Sequence, residues 1–232
     1  DYEEMLKDTP CDVIACGDYF GIRGERAVRA LESGHHVLSD KPICTTHAEL
    51  GRIRSLTKDG KLRLGCMLDL GDLGPYIALR NMIRKGSVGE VHAITFWAQH
   101  PLLYGKRPMW FFEEGRHQGT INDLAIHGID IVPWLTGKRL DGIVAARAWN
   151  AKIKQHPRFQ DGAMLVFRLE NGATVMGDVS YLSSDRHGYS MLPYWRFTIS
   201  GTDGVLETAC NEPVVRLWRH DTENVIEEPV AS

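Results

Sequence analysis

Lys41 and a helix carrying Asp123, His127 and Asp130 are the residues whose types and spacing best suit acid–base chemistry. The three helical residues stand at i, i+4 and i+7, which at about 100° per residue places them within an arc of roughly 60°. Around them Ile121, Leu124, Ala125, Ile126, Ile129, Ile131, Val132, Trp134 and Leu135 make the helix apolar nearly all round. A narrow polar stripe on such a helix predicts a buried element looking into a cleft. A carboxylate one turn before a histidine can orient the imidazole and tune its proton affinity. The same spacing serves a purely structural stripe, with His127 paired to Asp123 or Asp130, and spacing alone leaves both readings open. Pro133 is expected to kink or end the helix just beyond the stripe.

Lys41 lies where an apolar run, His36-Val37-Leu38, ends in Asp40-Lys41-Pro42. Ligands of open α/β sheets bind at the carboxyl ends of strands. A lysine in a partly dry crevice there can donate or shuttle a proton, although an exposed turn lysine is the commoner case. Pro42 biases Lys41 towards an extended backbone.

The elements that must hold these residues fall into two groups. "CDVIAC" and "HHVLS" read as buried strands, and "ERAVRALESG" between them as a helix closed by Gly34. Strand, helix and strand in about thirty residues form a βαβ unit with parallel strands. Thr46 and Glu49 make a capping box for a helix to about Thr57, and "KLRLGCML" is a further strand. The alternation up to about residue 70 predicts part of a doubly wound parallel sheet. After the helix "YIALRNMIRKG" the rhythm changes. "GEVHAITFWAQH", "DGIVAARAWN", "GAMLVFRLENGATVMGDVSYL", "WRFTISGTDGVLETA" and "VVRLWRH" alternate apolar and polar residues, with hairpin turns at Asn171-Gly172 and Asp203-Gly204. The expected fold class is therefore α/β plus α+β: a partial parallel sheet over residues 1–70, then a mostly antiparallel open-sheet domain over 71–232. The opening "DYEEMLKD" reads as a helix already under way, and "HDTENVIEEPVAS" as a polar tail without closing structure, which together suggest a fragment.

Composition bounds the function. The 232 residues carry a net charge of −3, with 43% hydrophobic and 25% charged residues. That balance gives no electrostatic footprint for nucleic acid or an anionic membrane surface, and no apolar run approaches a membrane span. Five scattered cysteines, Cys11, Cys16, Cys44, Cys66 and Cys210, lack any C-x-x-C and fit reduced thiols in a cytoplasmic protein. His117 and His127 with Asp123 lack a convincingly spaced third ligand, so no metal is expected. Gly17, Gly21 and Gly24 with Asp40 imitate a dinucleotide fingerprint, but their spacing is G-x-x-x-G-x-x-G, a weak signal.

The stretch "CDVIACGDYFGIRGERAVRALESGHHVLSDKPICTTHAEL" resembles the Glu-Lys-Pro region of the glucose–fructose oxidoreductase/inositol dehydrogenase/rhizopine catabolism (Gfo/Idh/MocA) family. "GEVHAITF", "GTINDLAIHGIDIVPWLTG" and "RFTISGTDGVLE" resemble three further stations of that family, in order, so the likeness runs from about residue 10 to 210. The resemblance implies a Rossmann-type domain followed by a substrate domain whose open sheet packs homo-oligomers face to face. It implies NAD or NADP as cofactor, a sugar, cyclitol or related polyol as substrate, and hydride transfer between them. It implies Lys41 as the catalytic lysine, Asp123 and His127 as the pair meeting substrate hydroxyls, and Cys16, Gly17, Asp18, Asp40, Lys41 and Pro42 as cofactor-binding positions. Asp40 stands where the family has Glu, and the family's G-x-G-x-x-G loop is not in this sequence. Those departures keep a second reading open, a non-catalytic carbohydrate-binding or oligomerising module.

Overall fold

A computed structural model describes residues 1–191 and 194–230. In the first part, α1 (Tyr2–Asp8), β1 (Val13–Cys16), α2 (Phe20–Glu32), β2 (His36–Asp40), α3 (His47–Thr57) and β3 (Leu64–Met67) follow one another. β1, β2 and β3 form a parallel sheet in that order. Its core joins Ile14, Cys16, Ala27, Ala30, Leu31, Val37 and Ile53. The capping box at Thr46 and Glu49 opens α3 as expected.

The glycines of the apparent fingerprint have packing roles. A Cβ on Gly24 would lie 2.5 Å from the Glu49 carboxyl carbon, so this glycine lets α2 cross the start of α3. A Cβ on Gly21 would meet the carbonyl oxygen of Gly115, and the Gly21 N–H donates to the Arg116 carbonyl at 3.2 Å. The N-terminus of α2 is therefore covered by the 115–116 loop and offers no open cradle for a phosphate.

The second part holds α4 (Gly74–Arg84), β4 (Val91–Pro101), α5 (Ile126–Thr136), β5 (Leu140–Trp149), β6 (Gly162–Leu169), β7 (Thr174–Ser183), β8 (Arg196–Gly201), β9 (Gly204–Ala209), β10 (Val214–Arg219) and β11 (Val225–Pro229). The eight strands order as β11-β10-β9-β8-β4-β7-β6-β5, and only the β4–β7 pair is parallel. Period-two alternation puts Ile94, Phe96, Val175, Val179, Phe197 and Ile199 on one face, where they bury Tyr76 and Leu79 of α4 and Ile131 and Leu135 of α5. The α5 contact is close: a Cβ on Gly128 would fall 2.4 Å from the Phe96 ring. The opposite face leaves Trp97, Met164 and Met176 about half exposed.

Two expectations are corrected. The polar tail contains β11, an edge strand paired antiparallel to β10. Its residues are all exposed, so no burial pattern advertised it. Pro133 does not end α5. The helix continues to Thr136 and closes at Gly137, which has φ 69° and donates its N–H to the Pro133 carbonyl. The irregularity falls at the start of the stripe instead, where Ile121–Ala125, which includes Asp123, forms a π-helical turn. No helix among the described residues is long and apolar enough to cross a membrane.

Candidate functional site

β2 delivers Asp40 and Lys41 at its carboxyl end, and the start of the α5 helix approaches from the second part. There the Lys41 ammonium forms an ion pair with the Asp123 carboxylate and also donates to the Asp123 carbonyl at 2.7 Å. The pair is largely buried, with 18% of the Lys41 side chain and 7% of the Asp123 side chain exposed. Lys41 thereby ties the parallel sheet to the antiparallel domain. The Lys41–Pro42 peptide bond is cis.

The stripe read from helical spacing is divided. The π turn widens the helix at Asp123 and shifts it out of the register that begins at Ile126. Asp123 turns to Lys41 and to His117, whose Nε2 lies 3.0 Å from Oδ2. Asp130 is exposed and takes no part in the site. His127 makes no hydrogen bond with Asp123 or Asp130. Its Nδ1 is buried and has no hydrogen-bond partner among the described residues, 3.9 Å from the exposed Asp69, and its ring meets Trp195 edge-on at 5.2 Å.

Electrostatics give each group a distinct state. Burial pushes the Asp123 carboxyl up, but the His117 hydrogen bond and the Lys41 ammonium outweigh it and hold it well below the usual range. Asp123 is thus an ionised acceptor, and His117 must carry its proton on Nε2. The same nitrogen lies 3.2 Å from the Tyr181 hydroxyl. Burial, followed by the nearby Lys41 charge, lowers His127 to about 4. Burial likewise lowers His100 to about 3. Both imidazoles are neutral at physiological pH.

Lys41, His127 and His100 line one cleft of about 450 Å³ together with Asp40, Met67, Asp69, Leu70, Leu73, Tyr194, Trp195 and Cys210. Its wall is thus apolar and aromatic around a few polar residues. Among the described residues the buried His127 Nδ1 and His100 Nε2 have no hydrogen-bond partner. Trp195 is held with φ at 50°, a sparsely populated backbone region for a bulky residue, and the Tyr76 hydroxyl donates to its carbonyl. A neutral imidazole and an ammonium thus line one cleft, which sets a proton acceptor and a positive charge in the same chamber.

The remaining positions separate by exposure. Gly17 and Asp18 form the turn after β1, and a Cβ on Gly17 would meet nothing within 4 Å. Asp40 accepts the Lys41 N–H at 2.7 Å and keeps its side chain about half exposed. Cys16 faces the core of the small sheet, so only its backbone can contribute to a site. Sequence reasoning missed His117, His100 and Trp195 as site residues. His100 had a signal, since it shares strand parity with the buried Ile94, Phe96 and Ala98. Trp195 had one too, since it opens the alternating run "WRFTISGTDGVLETA" in phase with the buried Phe197 and Ile199, whereas His117 lies outside any periodic segment.

A family model described as the GFO/IDH/MocA C-terminal domain matches residues 76–207, more than half of the chain. A D-xylose dehydrogenase of Paenarthrobacter nicotinovorans is 22% identical over 234 residues, covering 95% of this chain and 60% of that protein. A solved structure from Thermotoga maritima superposes with a TM-score of 0.88 at 25% identity, over all of this chain and 69% of that one. An inositol dehydrogenase homologue from Azotobacter vinelandii, solved with NAD+, gives a TM-score of 0.82 at 17% identity over 98% of this chain and 61% of that one. The chain therefore spans about 60% of the length of that dehydrogenase.

Proposed function

This chain belongs to the GFO/IDH/MocA family, and from that premise we propose that it is the greater part of an NAD(P)-dependent oxidoreductase. The reaction moves a hydride between the nicotinamide and a hydroxyl-bearing carbon of a sugar, cyclitol or related polyol. Residues 1–70 are the C-terminal part of the dinucleotide-binding domain, and 71–232 are the substrate and oligomerisation domain. The observation that carries the reading is the cleft at the β2 carboxyl end, where Lys41 and a neutral, unpartnered His127 share one partly apolar chamber.

The cofactor side fits in part. The turns after β1 and β2 open on the same end of the parallel sheet, so Gly17, Asp18, Asp40, Lys41 and Pro42 can flank a nicotinamide and its ribose. The covered N-terminus of α2 cannot cradle the pyrophosphate, which needs a glycine loop beyond these residues. The bound nicotinamide supplies the hydride acceptor or donor. The chain's own residues handle the proton and the oxygen. The neutral His127 imidazole takes the hydroxyl proton, and Lys41, anchored by Asp123, stabilises the developing alkoxide. Asp123 is buried with one oxygen engaged by Lys41 and the other by His117, so it positions the lysine and leaves substrate hydroxyls to His127 and His100. Trp195 and Tyr194 offer aromatic surface to the ring's C–H faces.

The exposed Trp97, Met164 and Met176 form part of an apolar patch on the outer sheet face, which supports a homo-oligomer built through that face. Calorimetry with NAD(H) and NADP(H), on residues 1–232 and on the full-length protein, tests the enzyme reading. Binding by the longer protein supports it. No binding by either supports the carbohydrate module instead.

A further inference from the structure

We propose that Arg23 is the positioning residue of the catalytic lysine, a buried guanidinium that fixes both turns flanking the cofactor side of the cleft. Arg23 projects from the first turns of α2 and is 1% exposed. One terminal nitrogen, Nη1, donates to the carbonyls of Lys41 and Pro42. The other, Nη2, donates to the Asp18 carbonyl at 2.6 Å and to the Asp40 carboxylate at 3.4 Å. Its four terminal N–H groups thus meet four acceptors on two segments, the β1–α2 turn and the β2–α3 turn. Nε has no partner.

This pattern constrains position more than it stabilises charge. Burial lowers the proton affinity of Arg23 more than Asp40 and Asp18 raise it, so the surroundings tolerate the charge rather than favour it. The bonded carbonyls of Lys41 and Pro42 hold the backbone directly after the Cα from which the Lys41 side chain departs. The Lys41 N–H is tied in the same place by Asp40 Oδ1. With the backbone held on one side by Arg23 and the ammonium on the other by Asp123, the lysine has both ends fixed. The Phe20 ring lies between, 4.9 Å from the Arg23 guanidinium and 5.7 Å from Lys41 Nζ. A lysine at position 23 would carry the charge but has no planar fork to span two turns.

The inference rests on the proposed reaction for the role of Lys41, so its primary test does not need turnover. In the full-length protein, lysines are labelled with trinitrobenzenesulfonate and the rate at each is read by peptide mass spectrometry. Arg23→Gln and Arg23→Lys should each label Lys41 roughly tenfold faster, the factor for losing one to two net hydrogen bonds. Lys61 and Lys138 should keep their rates. In Arg23→Ala, added guanidinium at non-denaturing concentration should slow Lys41 labelling again, and methylammonium should not. An unchanged Lys41 rate in Arg23→Gln overturns the proposal. So does uniform acceleration at all three lysines, which marks general loosening, or a normal rate in Arg23→Lys. Where the unaltered enzyme turns over a polyol, the same variants should lower kcat with KM little changed. Absence of turnover would count against the proposed function and leave the labelling result to judge Arg23.

Discussion

Acid should destabilise this protein through two histidines before it reaches the carboxylates. His127 ordinarily binds a proton near 6.5 and in the fold only near 4. Between those values the unfolded chain holds one more proton than the folded one, so stability rises with pH across the window and falls as pH falls through it. Acidification from about pH 7.5 to about pH 4.5 should cost about 2–3 kcal/mol through His127. His100, lowered to about 3, should add a similar loss over the same interval. The cause is burial in both cases, and both side chains carry an unpartnered nitrogen. Denaturant unfolding at several pH values measures the slope directly. His127→Gln and His100→Gln should each remove roughly half of the difference in slope, whatever their stability at neutral pH. Asp178 is raised by burial and acts in the opposite direction, but it titrates identically in all three proteins. Equal slopes for the unaltered protein and both variants would refute the buried, neutral assignment.

If the proposed reaction holds, Lys41→Ala and His127→Ala in the full-length protein should each lower turnover by on the order of 10²–10⁴-fold, the span of a lost acid–base or charge-stabilising group. Thermal melts should show much smaller effects, and full activity in either variant would remove that residue from the chemistry. Gly128→Ala should destabilise by about 1–3 kcal/mol because its methyl would press into the Phe96 ring, and a denaturation midpoint matching the unaltered protein would contradict that packing. His117→Leu should cost about 2–3 kcal/mol at neutral pH by removing a hydrogen bond from a buried carboxylate, with the loss shrinking as acid neutralises Asp123. Equilibrium unfolding at neutral and acid pH checks both parts of that statement.

The sequence carried the architecture well because the two halves differ in period. A βαβ alternation and a run of two-residue alternation are both written in the apolar positions, and the capping box at Thr46 marked one helix start to the residue. It carried Lys41 because a strand end is a topologically special place. It carried Asp123 and His127 as residues but not their partners. The stripe argument assumed uniform α-helical turns, and a single π turn was enough to send Asp123 to Lys41 and His117 and to leave His127 facing the cleft. Partners that come from loops, such as His117, leave no periodic trace, and Trp195 showed only as an in-phase strand residue, with nothing to mark its positive φ. Arg23 shows the limit most plainly. In sequence it is one charged residue in the glycine-rich stretch ahead of the expected helix "ERAVRALESG"; the helix in fact starts at Phe20, and only the folded chain reveals four acceptors around Arg23.

The most direct test of the account is reduced-nicotinamide absorbance in the full-length protein, supplied with NAD+ or NADP+ and a panel of sugars, cyclitols and their anhydro forms. The account predicts reduction with at least one polyol, abolished in Lys41→Ala and His127→Ala while cofactor binding persists. Cofactor binding without reduction by any polyol, or reduction that survives both substitutions, would contradict it.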